Sequence, residues 1–234
     1  MNWNLLDEQW RNRGDAAQFA ELENALDRAL YNQKEPEYAL LWRWARLEHF
    51  RAMRDEANVA GAKRHFAAGA QEAKTAVALQ PNRVEGHFWC GVCEIEAARL
   101  QNKLAAFRVL SGASKHIDRA AQIDESYHFA GPLRVQARMR HLRPILLGGS
   151  LDTALEMYRR ALQIAPHNST TLLYYADALL ANQERPQARH VLQQILDAPP
   201  DPDWKWEQKR DQKIAARKLQ EISQNPPENN KNQE

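Results

Sequence analysis

The chain has 234 residues, 44% hydrophobic and 26% charged, with a formal net charge of +2. That length can bury one sizeable core, while the mixed, nearly balanced charge provides no concentrated basic patch for nucleic acid. No apolar run approaches the ~20 residues of a membrane span, and nine glycines with few β-branched runs argue against a sheet protein.

In chain order, residues 1–14 are polar around Trp3 and Trp10 and leave two readings, a packed N-terminal cap or a loose segment. Residues 15–33 read as a helix with Phe19, Leu22, Leu26, Ala29 and Leu30 on one face. Pro36 opens the next helix, since a first-turn proline loses no hydrogen bond. That helix carries Leu40-Leu41-Trp42-Arg43-Trp44-Ala45-Arg46-Leu47 and runs to about Asn58. Helices over 62–80 and 83–100 break at Pro81, and 103–123 and 127–142 form another pair. Pro144 to Ser150 is a loop, with Ser150 placed to cap the helix after it. Helices at 151–165, 168–183 and 186–197 follow, and Pro199-Pro200-Asp201-Pro202 interrupts the pattern.

Residues 201–223 then hold a charged capping helix, with Ala215, Leu219 and Ile222 on its inner side. Residues 224–234 have no apolar side chain and are expected to be a disordered tail. The organisation is thus an N-terminal segment 1–14, a repeat domain 15–200, a capping helix and a tail.

The repeat is carried by Ala154, Tyr158, Ala161 and Pro166, which recur 34 residues later as Ala188, Leu192, Ile195 and Pro200. Gly69, Ala73, Ala76, Leu79 and Pro81 stand in the same mutual spacing as Ala154, Tyr158, Ala161, Ile164 and Pro166, as do Ala113, Ile117, Ala120 and Ile123, with Glu125 at the proline position. Small residues let two helices approach, the large one fills the gap, and proline ends the helix. A 34-residue period of this kind marks helix-turn-helix repeats whose apolar faces must stack on one another. The copies are irregular: Ala176 precedes Ala188 by 12 residues, but Gly91 precedes Ala113 by 22, so the early hairpins need longer helices or extra turns.

This register resembles the tetratricopeptide repeat (TPR) family over most of residues 62–200. The resemblance implies an all-α fold of about ten helices, paired antiparallel and stacked in a right-handed superhelix. A narrower likeness lies in Leu41-Trp42-Arg43-Trp44-Ala45-Arg46, His87-Phe88-Trp89-Cys90-Gly91-Val92 and Gly131-Pro132-Leu133-Arg134, with Pro144 to Ser150. These segments resemble the T-component of tripartite ATP-independent periplasmic (TRAP) transporters and the regulators of microtubule dynamics. Leu173-Tyr174-Tyr175-Ala176-Asp177 and the Gly-Gly loop favour the transporter group. That group implies a periplasmic lipoprotein that binds hydrophobic ligands and associates with itself. Met1 to Asp7 shows no basic-then-apolar leader and no lipidated Cys, so the sequence as it stands reads as cytoplasmic, or periplasmic if a leader has been removed.

Candidates for chemistry are few. Trp89-Cys90-Gly91-Val92-Cys93 resembles a redox Cys-x-x-Cys, but it falls inside a helix with no preceding strand, so two buried thiols are the expectation. Zinc binding by the same pair lacks a second Cys pair or a His-x₃-His, and His49, His65, His87, His116 and His128 show no metal-ligand spacing. Gly148-Gly149-Ser150 lacks the Lys-Ser/Thr ending of a phosphate loop and reads as a turn with an N-cap. Arg134, Arg138, Arg140, His141 and Arg143 read as a solvated face, with a clamp for an anionic partner as the sharper alternative.

Three functions stay open: a scaffold holding a protein or peptide partner in a concave groove, a binder of a small hydrophobic ligand, and an enzyme using Cys90 and Cys93. They rank in that order, and the expectation is a non-enzymatic scaffold without cofactor or metal. In stacked hairpins the first helices line the groove, here about 36–56, 83–100, 127–142 and 168–183. Counting from Gly91 and Ala176, helical geometry selects Phe88, Val92, Ile95, Glu96, Leu173, Asp177 and Leu180 as its lining. The other reading of this stripe is ordinary core.

Overall fold

A computed structural model describes residues 2–32, 37–55, 57–101 and 103–224, the side chains of 103–110 excepted. Pro36, as a first-turn residue, and residues 225–234, as a disordered tail, lie outside the described residues. Among those described there are eleven α-helices and no strand. The chain divides into two compact units, Met1–Gln136 and Ala137–Glu234.

The first unit holds α1 (Trp3–Arg11), α2 (Ala16–Asn32), α3 (Tyr38–Arg54), α4 (Val59–Leu79), α5 (Val84–Arg99) and α6 (Lys103–Ile123). Consecutive helices pack on one another, and α3 also meets α5. The N-terminal segment is a helix, which raises the count above ten. Asn2 Oδ1 accepts the Leu5 N–H at its start, and Leu6 and Trp10 are buried. The second unit holds α8 (Leu151–Ile164), α9 (Ser169–Ala181), α10 (Arg185–Asp197) and α11 (Lys205–Gln224), where α11 packs on both α9 and α10. α7 (Tyr127–Leu142) spans the division point.

Side-chain caps fix the helix starts. Asn58 accepts from Gly61, Ser150 from Thr153 and Asn168 from Thr171. Each satisfies a backbone N–H that the helix itself cannot, worth about 1 kcal/mol.

The repeat register is the seam between helices. Ala73, Ala76, Ala113, Ile117, Ala120, Ala154, Tyr158, Ala161, Ala188, Leu192 and Ile195 are all fully buried. Leu79 and Ile164 depart from it at 48% and 38% exposure, because each is the last residue of its helix, at the edge of the seam. The long spacing in the early copies is absorbed by longer helices: α4 and α6 have 21 residues each, against 14 in α8 and 13 in α10.

α7 departs from the expected regular helix. His128, Phe129 and Ala130 take left-handed backbone, with φ of 53°, 59° and 56°. Non-glycine residues there cost roughly 1–2 kcal/mol each, so neighbouring contacts must hold them. The His128 ring packs 5.0 Å from Trp89 and 5.2 Å from Phe88, and Arg134 Nη1 donates to the Phe129 carbonyl at 3.1 Å. Gly131 is required at the next position, because a Cβ there would stand 2.7 Å from the Phe88 ring.

Candidate functional site

α5 is the centre of the first unit. A Cβ on Gly91 would lie 2.6 Å from the Ile117 side chain and 3.1 Å from the Ala113 carbonyl. The missing side chain therefore sets how closely α5 and α6 approach, as the repeat spacing predicts. The neighbouring Trp89 is buried, donates from Nε1 to the Tyr127 hydroxyl at 3.1 Å, and stands edge-on to Phe88. Tyr38 ties α3 to the start of α5: its hydroxyl donates to Glu85 at 2.9 Å and accepts from the Gly86 N–H at 3.2 Å.

The seven predicted groove residues fall into two classes. Phe88 (2% exposed) and Leu173 (5%) belong to the apolar cores of their own units and offer no surface to a partner. They follow the other reading of the stripe, ordinary core, because neighbouring helices cover that side of α5 and α9 as well as the seam. Val92 and Ile95 are half-buried against the first core, and Leu180 is half-buried against the second. The acids are already engaged: Glu96 accepts from Arg99 at 2.8 Å, and Asp177 from Arg138 at 3.1 Å and Lys218 at 2.8 Å. In each unit the partly exposed part of its first helix is thus apolar, beside an internally neutralised acid.

The arginines of α7 are not a plain solvated face, nor a set of cations awaiting an anion. Arg134 is buried. Arg138 pairs with Asp177 and stacks on Tyr174 at 4.5 Å, and Arg140 donates to the Gly148 carbonyl at 3.0 Å. Gly148 is left-handed (φ 84°), and a Cβ on Gly149 would overlap the Arg143 carbonyl at 1.8 Å. The Gly-Gly pair makes the sharp turn that delivers Ser150 to its cap, as read from the sequence.

Cys90 and Cys93 are buried and unbridged. Burial pushes the Cys90 thiol up to about 12 and Cys93 further, so neither is the low-pKa thiolate that redox chemistry uses. Cys93 Sγ faces the Ala45 carbonyl at 3.9 Å. Cys90 instead lies with Glu94 and His116, their donor atoms all within 4.8 Å of one another. Histidine spacing along the chain could not reveal this group, since His116 comes from another helix. Two signals were present: Cys90-x₃-Glu94 at helical spacing, and His116 beside Ile117, which packs on Gly91.

A second feature missed in the sequence is the arginine–tryptophan ladder joining α1 to α3. Asp7 accepts from Arg43 at 3.1 and 2.6 Å and from Arg46 at 3.1 Å. Arg43 lies 4.1 Å from the Trp42 ring, and Arg46 lies 4.0 Å from that of Trp10. Burial alone would raise the Asp7 carboxyl; the two guanidinium groups outweigh it and hold it below its ordinary value. Shallow clefts of about 390 Å³ between α1 and α2, and of about 300 Å³ around Tyr38, Arg43 and Glu85, include none of the predicted groove residues.

No curated protein matches the chain. Residues 146–205 match a tetratricopeptide repeat family, in agreement with the hairpins of the second unit. Neither family match is to the transporter T-component group, whose likeness rests on the short segments alone. The other match covers residues 8–132, more than half of the chain, and places it in the family described as regulator of microtubule dynamics protein 1-3.

Proposed function

We propose that this protein is a non-enzymatic scaffold that holds a protein or peptide partner on the first helices of its hairpins. The observation that carries the reading is a half-buried apolar patch on the first helix of a hairpin in each unit, Val92 and Ile95 on α5 and Leu180 on α9. It sits on helices whose lengths and seams follow a repeat that serves partner binding across many unrelated proteins. Half-buried aliphatic side chains beside internally neutralised acids suit the apolar face of an amphipathic helix or an extended apolar segment. Glu96 borders the patch of the first unit and Asp177 that of the second, each setting a polar edge. The family description names regulators of microtubule dynamics, which makes tubulin the first partner to assay. The test is co-sedimentation with polymerised tubulin, alongside affinity capture with quantitative mass spectrometry. Both compare the wild type with Ile95→Lys and Leu180→Lys variants. Partners lost in the variants while the helical signal is kept support the reading; an identical set of partners refutes it.

A further inference from the structure

Cys90 lies in the apolar core of the first unit, but Glu94 and His116 bring polar donor atoms to its edge that neither the stripe nor the seams use. Cys90 and Glu94 are one helical turn apart on α5 and share a face; His116 comes from α6. The close approach of Gly91 to Ile117, each next in sequence to one of these residues, brings the three donor atoms within 4.8 Å. Ligands bound at about 2.0–2.3 Å around a tetrahedral ion stand roughly 3.3–3.8 Å apart. The observed spacing therefore needs only a small side-chain adjustment to close on a metal.

Two further observations favour an ion there. Glu94 Oε1 takes Lys74 Nζ at 2.6 Å, while Oε2 is buried and meets no hydrogen-bond donor among the described residues. A buried carboxylate oxygen in that state has lost its hydration without replacement, and a cation supplies what it lacks. The second observation is the support behind His116. His87 Nε2 lies 2.9 Å from the Pro81 carbonyl, and His87 Nδ1 lies 3.0 Å from His116 Nδ1. A carbonyl only accepts, so in the neutral rings His87 carries its proton on Nε2 and its Nδ1 accepts from His116. This relay fixes the ring and tautomer of His116, as outer-shell partners do for metal-binding histidines.

We infer that Cys90, Glu94 and His116 form a binding site for a divalent cation of the zinc class, with solvent completing its coordination. The mixed sulfur, nitrogen and oxygen donors suit zinc and disfavour magnesium or calcium. On binding, the Cys90 Sγ–H bond breaks, its proton passes to the buffer, and a metal–thiolate bond forms. Lys74, whose side chain is 49% exposed, leaves Glu94 and turns into solvent.

Titration of the full chain with Co²⁺, followed by competition with Zn²⁺, tests the site. One cobalt per chain should bind with a thiolate-to-metal charge-transfer band in the near ultraviolet. Cys90→Ser should abolish that band, while Cys93→Ala should keep it. Glu94→Gln and His116→Gln should each weaken binding at least tenfold, and His87→Phe by roughly 10- to 100-fold. Lys74→Met, which removes the competing cation, should tighten binding severalfold, a gain that a purely structural role for these residues would not produce. If Cys90→Ser does not fold, the Glu94, His116 and Lys74 variants decide. Binding without a thiolate band, binding unaffected by Glu94→Gln and His116→Gln, or no saturable binding overturns the inference.

Discussion

Asp211 on α11 is fully buried and holds the capping helix to the rest of the second unit. Its Oδ2 accepts from the Ser169 hydroxyl at 2.8 Å and the Thr170 hydroxyl at 2.6 Å, both on α9, and its Oδ1 accepts from Arg210 at 2.7 Å. Asp211→Ala leaves two buried hydroxyls facing an empty space. Hydrogen bonds to a charged acceptor contribute ~1.5–3 kcal/mol each, so the two hydroxyl bonds alone amount to ~3 kcal/mol at the lower bound. Arg210 keeps 26% exposure and can turn to water, so its share is discounted, as for any partly solvated pair. The expected loss is therefore about 3 kcal/mol. Urea unfolding of the full chain measures it, with fluorescence of Trp204, which is buried and donates to the same Thr170 hydroxyl at 3.3 Å. The five tryptophans outside 201–234 all belong to the first unit, so their signal should keep its midpoint. A loss below ~1 kcal/mol would refute the anchoring role of Asp211.

Gly91→Ala should lose ~1 kcal/mol, since an overpacking cost of ~1–3 kcal/mol is partly offset by ~1 kcal/mol of helix propensity; adding Ile117→Val should recover part of the loss, and purely additive effects would contradict the contact. Phe88→Glu should unfold the first unit, as a buried carboxylate costs several kcal/mol, whereas Ile95→Lys should leave the circular-dichroism melt nearly unchanged. Both thiols should resist a maleimide reagent in the native protein and label only after unfolding; rapid native labelling would contradict their burial. His128, kept neutral chiefly by burial and also by nearby Arg134, Arg46 and Arg13, has a pKa well below its ordinary value. The unfolded chain binds that proton and the folded chain does not. Its contribution is therefore fully present above about pH 6.5 and is lost as pH falls, by at most ~1.4 kcal/mol per pH unit. His116 and His141 shift in the same direction, so the share of His128 is the part that His128→Asn removes. Asparagine tolerates the left-handed backbone at that position, and an unchanged slope would count against this assignment.

Most helix boundaries were legible because period and punctuation agreed. Pro81, Ser150 and the Pro199–Pro202 run each ended or began an element where expected. The 34-residue register also found the seam, since Ala, Gly and Tyr at those spacings have no comparable reason to recur. What escaped was set by contacts distant in sequence. Helix α1 is short and polar, and it is held by cation–π and ion-pair contacts to α3 that no periodicity reports. The left-handed stretch His128–Ala130 contains no glycine to announce it; only the ring packing on Phe88 and Trp89 explains it. The burial of Phe88 and Leu173 has a related reason: a helix packed on several sides buries more than the one face that its period defines. The Cys90–Glu94–His116 group joins two helices and becomes visible only when Gly91 is set against Ile117.

Site-specific photocrosslinking measures the central claim most directly. A benzophenone side chain at Val92, Ile95, Asp177 or Leu180 is compared with one at exposed Lys63, Arg160 or Gln193. Scaffold binding on the first helices predicts that the same protein partner is captured from the stripe positions and not from the three controls. Capture of that partner only from the control positions, or equally from both sets, would contradict it.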